Sequence, residues 1–250
     1  MKKNIPNALT LLNLFCGCIA VIYAVNDQFS HAALFVFLGV FFDFFDGFAA
    51  RKLEVSSALG LQLDSLADMV TSGVVPGLVM YKMLDLSTEE PLLNRFFREW
   101  DSGLKVSEFE LSALPLIGLC ITLASAYRLA KFNLDDEQKT YFKGLPTPAN
   151  TLLIISFPLI IEYQDSEFIE NIILNTGFLI GMTALSCYLL NSNIKLFALK
   201  LKDFSYEANV SLYRFLILCV ILLIVLQFAA IPIIILLYIL LSYFNKLTIN

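Results

Sequence analysis

A chain of 250 residues that is 58% hydrophobic and only 16% charged, with a mean hydropathy of +0.75, cannot be an ordinary water-soluble domain. Composition instead indicates an all-α polytopic membrane helix bundle. The net charge of −5 is concentrated in external connections such as Glu162 to Glu170 and says little about a partner; no nucleic-acid partner is expected.

Eight apolar stretches follow one another, at about 7–25, 30–50, 58–82, 109–131, 148–163, 168–190, 211–228 and 230–246. Most approach the ~20 residues that a helix needs to cross a bilayer, while the fifth and the last two are shorter. An Asn and a Gly interrupt the first stretch and no small-residue cleavage site follows it, which argues against a removable signal peptide. Lys2, Lys3, Arg51, Lys52, the segment Arg128 to Lys143, the segment Lys195 to Arg214 and Lys246 all fall on one side, thirteen of the seventeen Lys and Arg. The positive-inside rule therefore places both termini in the cytoplasm.

Between the third and fourth stretches, Leu92, Leu93, Phe96, Phe97 and Trp100 recur at helical spacing, predicting a short surface helix on the external side. Gly144 permits a tight turn, and Pro146 and Pro148 predict an extended approach to the fifth span. Pro232 predicts a turn or kink near the boundary of the last pair. Cys16, Cys18, Cys120, Cys187 and Cys219 all lie in apolar stretches without a C-x-x-C and read as small membrane hydrophobes. His31 reads as an interfacial residue.

The second and third stretches carry four aspartates, Asp43, Asp46, Asp64 and Asp68. An ionised carboxylate at the centre of a membrane helix costs roughly 2.5–3.5 kcal/mol, so four together need a cation. On one helix face Asp43 and Asp46 are accompanied by Gly47 and Ala50, and on the next by Gly60, Ala67 and Thr71 around Asp64 and Asp68. A short cytoplasmic turn, Lys52 to Ser57, joins the two, with Ser56 or Ser57 as N-cap. At ~1.5 Å per residue all four acids lie within about 9–16 Å of that turn, in the cytoplasmic half of the membrane. Three chemistries compete for such a cluster: acids paired with bases, the ion pathway of a transporter, and metal-dependent phosphoryl transfer. Only Arg51 and Lys52 are close enough to pair. Arg51, one turn from Asp46 and Gly47, impedes passage of a cation and suits a phosphate, which favours the enzyme over the ion-coupled transporter.

The residues Asp43, Asp46, Gly47, Ala50, Arg51, Gly60, Asp64 and Asp68 form D-x2-D-G-x2-A-R-x8-G-x3-D-x3-D, which resembles the CDP-alcohol phosphatidyltransferase family without departure. The segments at 5–17, 125–150 and 189–196 further resemble the phosphatidylserine-synthesising branch of that family, with Lys131 where an arginine is expected. This resemblance implies one membrane-embedded catalytic domain over 1–250, with the last two spans, 211–246, accessory. It implies transfer of a phosphatidyl group from CDP-diacylglycerol to L-serine with release of CMP; glycerol 3-phosphate is the alternative acceptor. It implies two divalent ions, Mg2+ or Mn2+, on Asp43, Asp46, Asp64 and Asp68, with Asp68 also taking the proton of the attacking hydroxyl. Gly47, Ala50, Arg51 and Gly60 would receive the CDP-lipid. Thr10 and Asn13 are candidate nucleotide contacts, for which helix–helix hydrogen bonding competes. Arg128 is the candidate for the serine carboxylate or a phosphate. For Arg128, and more so for Lys131 and Asn133, a plain membrane-surface role competes. The resemblance also implies a membrane lipid environment, the cytoplasmic (inner) membrane, and a homodimer through lipid-facing spans.

Overall fold

The structure is a computed structural model and describes residues 4–55, 57–88, 113–134, 142–196 and 210–244. The surface helix predicted around Leu92 to Trp100, and Ser56, lie outside the described residues.

Helix α1 spans Ile5–Val25 and α2 spans Phe29–Leu53. They are joined by a tight turn in which Asp27 adopts φ 58°. Ala20 and Ala24 of α1 and Ala32 and Ala33 of α2 are all buried, and the Tyr23 ring stacks on those of His31 and Phe35 across the pair. In lipid, helices gain little from hiding apolar surface from one another, so close approach of small residues carries the association. The larger apolar side chains point outward instead: Phe15, Phe44 and Leu66 are each more than 60% exposed.

The third predicted span is longer than expected and irregular. Helix α3, Ala58–Asp68, passes into a π-helical segment, Met69–Val74, and on into α4, Val75–Leu86. Within the wide segment the Val75 N–H bonds to the Val70 carbonyl, five residues back. Neighbouring threonines bond to carbonyls of this wider turn. Thr151 Oγ1 donates to the Ser72 carbonyl at 3.0 Å, and Thr122 Oγ1 to that of Gly73 at 3.0 Å. Such bonds are what make irregular backbone tolerable at membrane depth. At the far end, Lys82 pairs with Asp27 at 3.0 Å.

A 3-10 turn, Pro115–Leu119, leads into α5, Cys120–Leu134. Gly144 sits at φ 73°, as its place in a turn predicts. A Cβ there would fall 2.7 Å from the Leu190 carbonyl oxygen and 2.8 Å from that of Leu189. Helix α6, Thr147–Tyr163, begins one residue earlier than expected. Pro146 is extended, but Pro148 lies inside the first turn, where a missing N–H costs nothing, rather than in the approach. The predicted sixth span is two helices, α7 (Glu167–Ile173) and α8 (Thr176–Asn191), bent by 58°. Asn175 starts the second by accepting from the Phe178 N–H at 3.1 Å. A two-residue antiparallel ribbon pairs β1, Phe142–Lys143, with β2, Lys195–Leu196.

Helices α9, Val210–Leu226, and α10, Ala230–Phe244, close the described chain. The helical run Tyr213–Ser242 is unbroken in hydropathy, yet it is not one rod. The rings of Phe215 and Tyr238 are 6.2 Å apart, so the chain folds back at the 3-10 turn Gln227–Ala229. The reversal uses Gln227 at φ 49°, and Pro232 lies in the first turn of α10 without making it. Gln164 Nε2 donates to the Leu226 carbonyl at 2.6 Å and pins this hairpin to the bundle. By length and composition five helical stretches among the described residues can cross a membrane, with the folded-back run Tyr213–Ser242 counted as one, or six with the bent α7–α8 pair.

Candidate active site

The α2–α3 connection builds the site. Helix α2 ends at Glu54 in the left-handed region (φ 53°), and Ser57 caps α3 by accepting from the Gly60 N–H at 3.0 Å. This tight reversal sets the acidic face of α2 against that of α3. One carboxyl oxygen from each of Asp43, Asp46 and Asp64 lies within 4.8 Å of the others. Among the described residues no lysine or arginine forms an ion pair with any of the four aspartates; the one such pair is Lys82 with Asp27. Three convergent hard oxygen donors, poorly neutralised and inside an apolar bundle, fit a divalent ion of the magnesium or manganese type. Asp68 stands outside this group of three, one turn further along α3.

Helix α1 holds two of the acids in place. Thr10 Oγ1 donates to Asp46 Oδ2 at 2.5 Å and also lies 3.1 Å from the Pro6 carbonyl. Asn13 Nδ2 donates to Asp68 Oδ1 at 3.3 Å, while the buried Asn13 Oδ1 has no partner among the described residues. Thr71 Oγ1, in the π-helical segment, donates to the Asn13 carbonyl at 3.2 Å. Both predicted polar residues of α1 thus orient carboxylates, the task that outer-sphere partners perform at metal sites.

Beside the acids is a cleft of about 180 Å³ lined by Asp46, Asp64, Thr10, Gly47, Ala50 and Gly60, together with Asn7, Val55 and Ser57. Its floor is low because the residues are small. A methyl group on Gly60 would come within 3.2 Å of Asn7 Oδ1 and of Ser57 Oγ. Arg51 is exposed and leans over Gly47, where an added Cβ would sit 3.4 Å from Nη1. Asn7 was not singled out from the sequence, but Asn7, Thr10 and Asn13 share an i, i+3, i+6 polar stripe on an otherwise apolar helix, a signal that could have found it.

Helix α5 borders the same region. Arg128 is 7% exposed and its Nε has no partner among the described residues. Asn133 Nδ2 donates to Ser65 Oγ at 2.8 Å, tying α5 to α3 between Asp64 and Asp68. Lys131 is exposed and shares a small cationic cleft with Arg128, Lys143 and Asn191. Lys143 and Asn191 join the cleft only because the Gly144 turn packs on the end of α8, which no spacing in the sequence reveals. A larger cavity, about 360 Å³, opens beside Ser30, His31 and Tyr163, about 24 Å along α2 from Asp46. Among the described residues its lining has no acidic side chain, and it is not part of this site.

A family model described as CDP-alcohol phosphatidyltransferase matches residues 3–191, which include all four aspartates and Arg128, Lys131, Lys143 and Asn191 of the cationic cleft. The chain is 35% identical over 159 residues to the CDP-diacylglycerol–serine O-phosphatidyltransferase of Bacillus subtilis, covering 61% of this chain and 75% of that one. It is 31% identical over 183 residues to the protein of the same name from Methanocaldococcus jannaschii, covering 73% and 71%. A similarly named protein of Saccharomyces cerevisiae is 30% identical over 173 residues, covering 62% and 54%.

Proposed function

Because the chain belongs to the CDP-alcohol phosphatidyltransferase family, we propose that it transfers the phosphatidyl group of CDP-diacylglycerol to L-serine, giving phosphatidylserine and CMP. The observation that carries this reading is the convergence of Asp43, Asp46 and Asp64 within 4.8 Å beside a cleft floored by small residues. Asp43, Asp46 and Asp64, with Asp68 adjoining, would hold two divalent ions, Mg2+ or Mn2+. When bound, such ions neutralise a pyrophosphate and stabilise the charge that develops on the departing phosphate.

The chain's own residues account for the rest. Gly47, Ala50 and Gly60 let the nucleotide approach the backbone, and Arg51 holds a phosphate at the mouth of the cleft. The serine hydroxyl oxygen bonds to the phosphorus that carries diacylglycerol, the bond to the bridging oxygen breaks, and CMP departs with that oxygen. Asp68 takes the hydroxyl proton. Asn13 keeps Asp68 turned toward the reacting atoms through its 3.3 Å hydrogen bond. Arg128 meets the serine carboxylate.

The same reading covers the membrane. Eight crossings, with α6, the α7–α8 pair and each arm of the α9–α10 hairpin counted once, return both termini to the cytoplasm, and the bias of Lys and Arg supports that orientation. The site then lies in the cytoplasmic half of the inner membrane, in a single catalytic unit able to pair with a second copy through lipid-facing helices.

The test is release of labelled CMP by purified protein given CDP-diacylglycerol, a divalent ion and one alcohol at a time. Serine should give CMP and phosphatidylserine. Preference for glycerol 3-phosphate would overturn the acceptor assignment, and intact CDP-lipid with every alcohol would overturn the enzyme in favour of an ion-coupled transporter.

A further inference from the structure

Asp68 is the last residue of α3, and the wide turn Met69–Val74 begins directly after it. In an α-helix the Ser72 carbonyl would bond to the amide of residue 76. That residue is Pro76, which has no N–H and whose ring would strike a carbonyl four residues back. Thr151 of α6, buried, supplies the missing donor: its Oγ1 lies 3.0 Å from the Ser72 carbonyl and 2.9 Å from the Thr147 carbonyl of its own helix. Thr122 of α5 donates to the next carbonyl, that of Gly73, at 3.0 Å. On the third side Thr71 Oγ1 donates to the Asn13 carbonyl at 3.2 Å, and Asn13 Nδ2 returns to Asp68 Oδ1 at 3.3 Å. Asp68, Asn13 and Thr71 thus close a loop of contacts that runs through the wide turn.

The helices on either side of the turn are fixed independently. Asn133 ties α3 to α5 through Ser65, and Ser57 caps the start of α3. Helix α4 is pressed against the turn Pro115–Leu119, where a Cβ on Gly118 would fall 2.5 Å from Tyr81 N. The phase between α3 and α4 is therefore set in the wide turn, and tightening it by one residue into a regular helix would rotate one against the other by about 100°. Asp68, at the edge of the turn, moves first. We propose that Thr151 and Thr122 are positioning residues that hold the turn open and so aim Asp68 at the acceptor hydroxyl. The idea rests on Asp68 as the base, as proposed above. It gives a role in the reaction to hydroxyls on α5 and α6 that lie outside the acidic cluster.

Thr151→Val keeps the shape and removes the hydroxyl, and Thr151→Ser restores it. Steady-state CMP release should show kcat lowered about tenfold in Thr151→Val, the scale of a displacement of half an ångström, and recovered in Thr151→Ser. Thr122→Val should lower kcat in the same way. Metal and CDP-lipid affinity should stay near wild type in both, because Asp43, Asp46 and Asp64 all precede the turn. Pro76→Ala gives the Ser72 carbonyl an amide and lets the turn become regular. Its kcat should fall while the thermal midpoint in detergent holds or rises, a split that a proline needed only for stability would not produce. If Thr151→Val does not fold, Thr122→Val and Pro76→Ala decide by the same readings. Wild-type kcat in the folded variants would overturn the inference. So would a Thr151→Ser protein as slow as Thr151→Val, or equal losses of kcat, metal affinity and CDP-lipid affinity. Full turnover in Asp68→Asn would instead overturn the proposed base itself.

Discussion

Replacing Gly17 by Ala should damage a site that Gly17 does not touch. Gly17 lies on α1 one turn beyond Asn13 and faces the π-helical segment. A Cβ built there falls on Thr71 Oγ1 and lies 3.1 Å from both Thr71 Cα and Thr71 N. Carbon atoms pack best at about 3.5–4.0 Å, so α1 and the π segment must part by roughly 0.5 Å. Two further contacts resist an easy escape. The opposite side of Thr71 already presses on Gly39, where a Cβ would be 2.8 Å from Thr71 Cγ2 and 2.9 Å from Asn13 Oδ1. Overpacking of this kind costs about 1–3 kcal/mol. Moving α1 also moves Thr10 and Asn13, which hold Asp46 and Asp68. A displacement of 1 Å in positioned groups can cost about 100-fold in rate, so half of that should cost about tenfold in kcat. Thermal unfolding in detergent and CMP release together measure both effects. Adding Thr71→Ala removes the hydroxyl contact but not the backbone contacts, so it should restore only part of the loss. A Gly17→Ala protein with wild-type midpoint and turnover would refute the claim that this glycine seats α1 on the aspartates.

Thr10→Val preserves shape and deletes the donor to Asp46; apparent affinity for Mg2+ or Mn2+ should fall about 10- to 100-fold with little change in stability, read from metal titrations of activity and of binding. Asp68→Asn should abolish CMP release and retain much of the CDP-lipid binding, and substantial residual turnover would remove Asp68 from the role of base. Asp43→Ala or Asp64→Ala should weaken metal and CDP-lipid binding together, since both acids belong to the group of three; unaltered metal dependence in isothermal titration would contradict the ligand assignment.

The parts of this molecule that are legible in its sequence are those decided within one or two helices. The α2–α3 pair is the clearest case. A period of 3.6 residues puts Asp43, Asp46 and Gly47 on one face and Asp64 on the next, and Ser57 caps the second helix where a cap was expected. The exposed phenylalanines of α2 follow from the same periodicity, since the face opposite the acids has only lipid to meet. What escapes the sequence depends on partners far away in the chain. Nothing in MVTSGV distinguishes a wide turn from an ordinary one. Its carbonyls gain the hydroxyls of Thr122 and Thr151 only once three helices have assembled. The break in the sixth span has a local trace, Asn175, but an asparagine in an apolar run can equally bond to its own helix, so the trace becomes readable only when its side chain is seen to take the Phe178 N–H. The hairpin is the extreme case: nothing in AIPIIILLYILLSYF marks the reversal at Gln227–Ala229, which shows only when the Phe215 and Tyr238 rings are seen 6.2 Å apart. In a bilayer, where apolar surface hardly discriminates one partner helix from another, the rare polar groups choose the neighbours. Thr10, Asn13, Asn133 and Arg128 are few because each is costly to bury, and for that reason they mark where α1 and α5 must meet the pair that carries the acids.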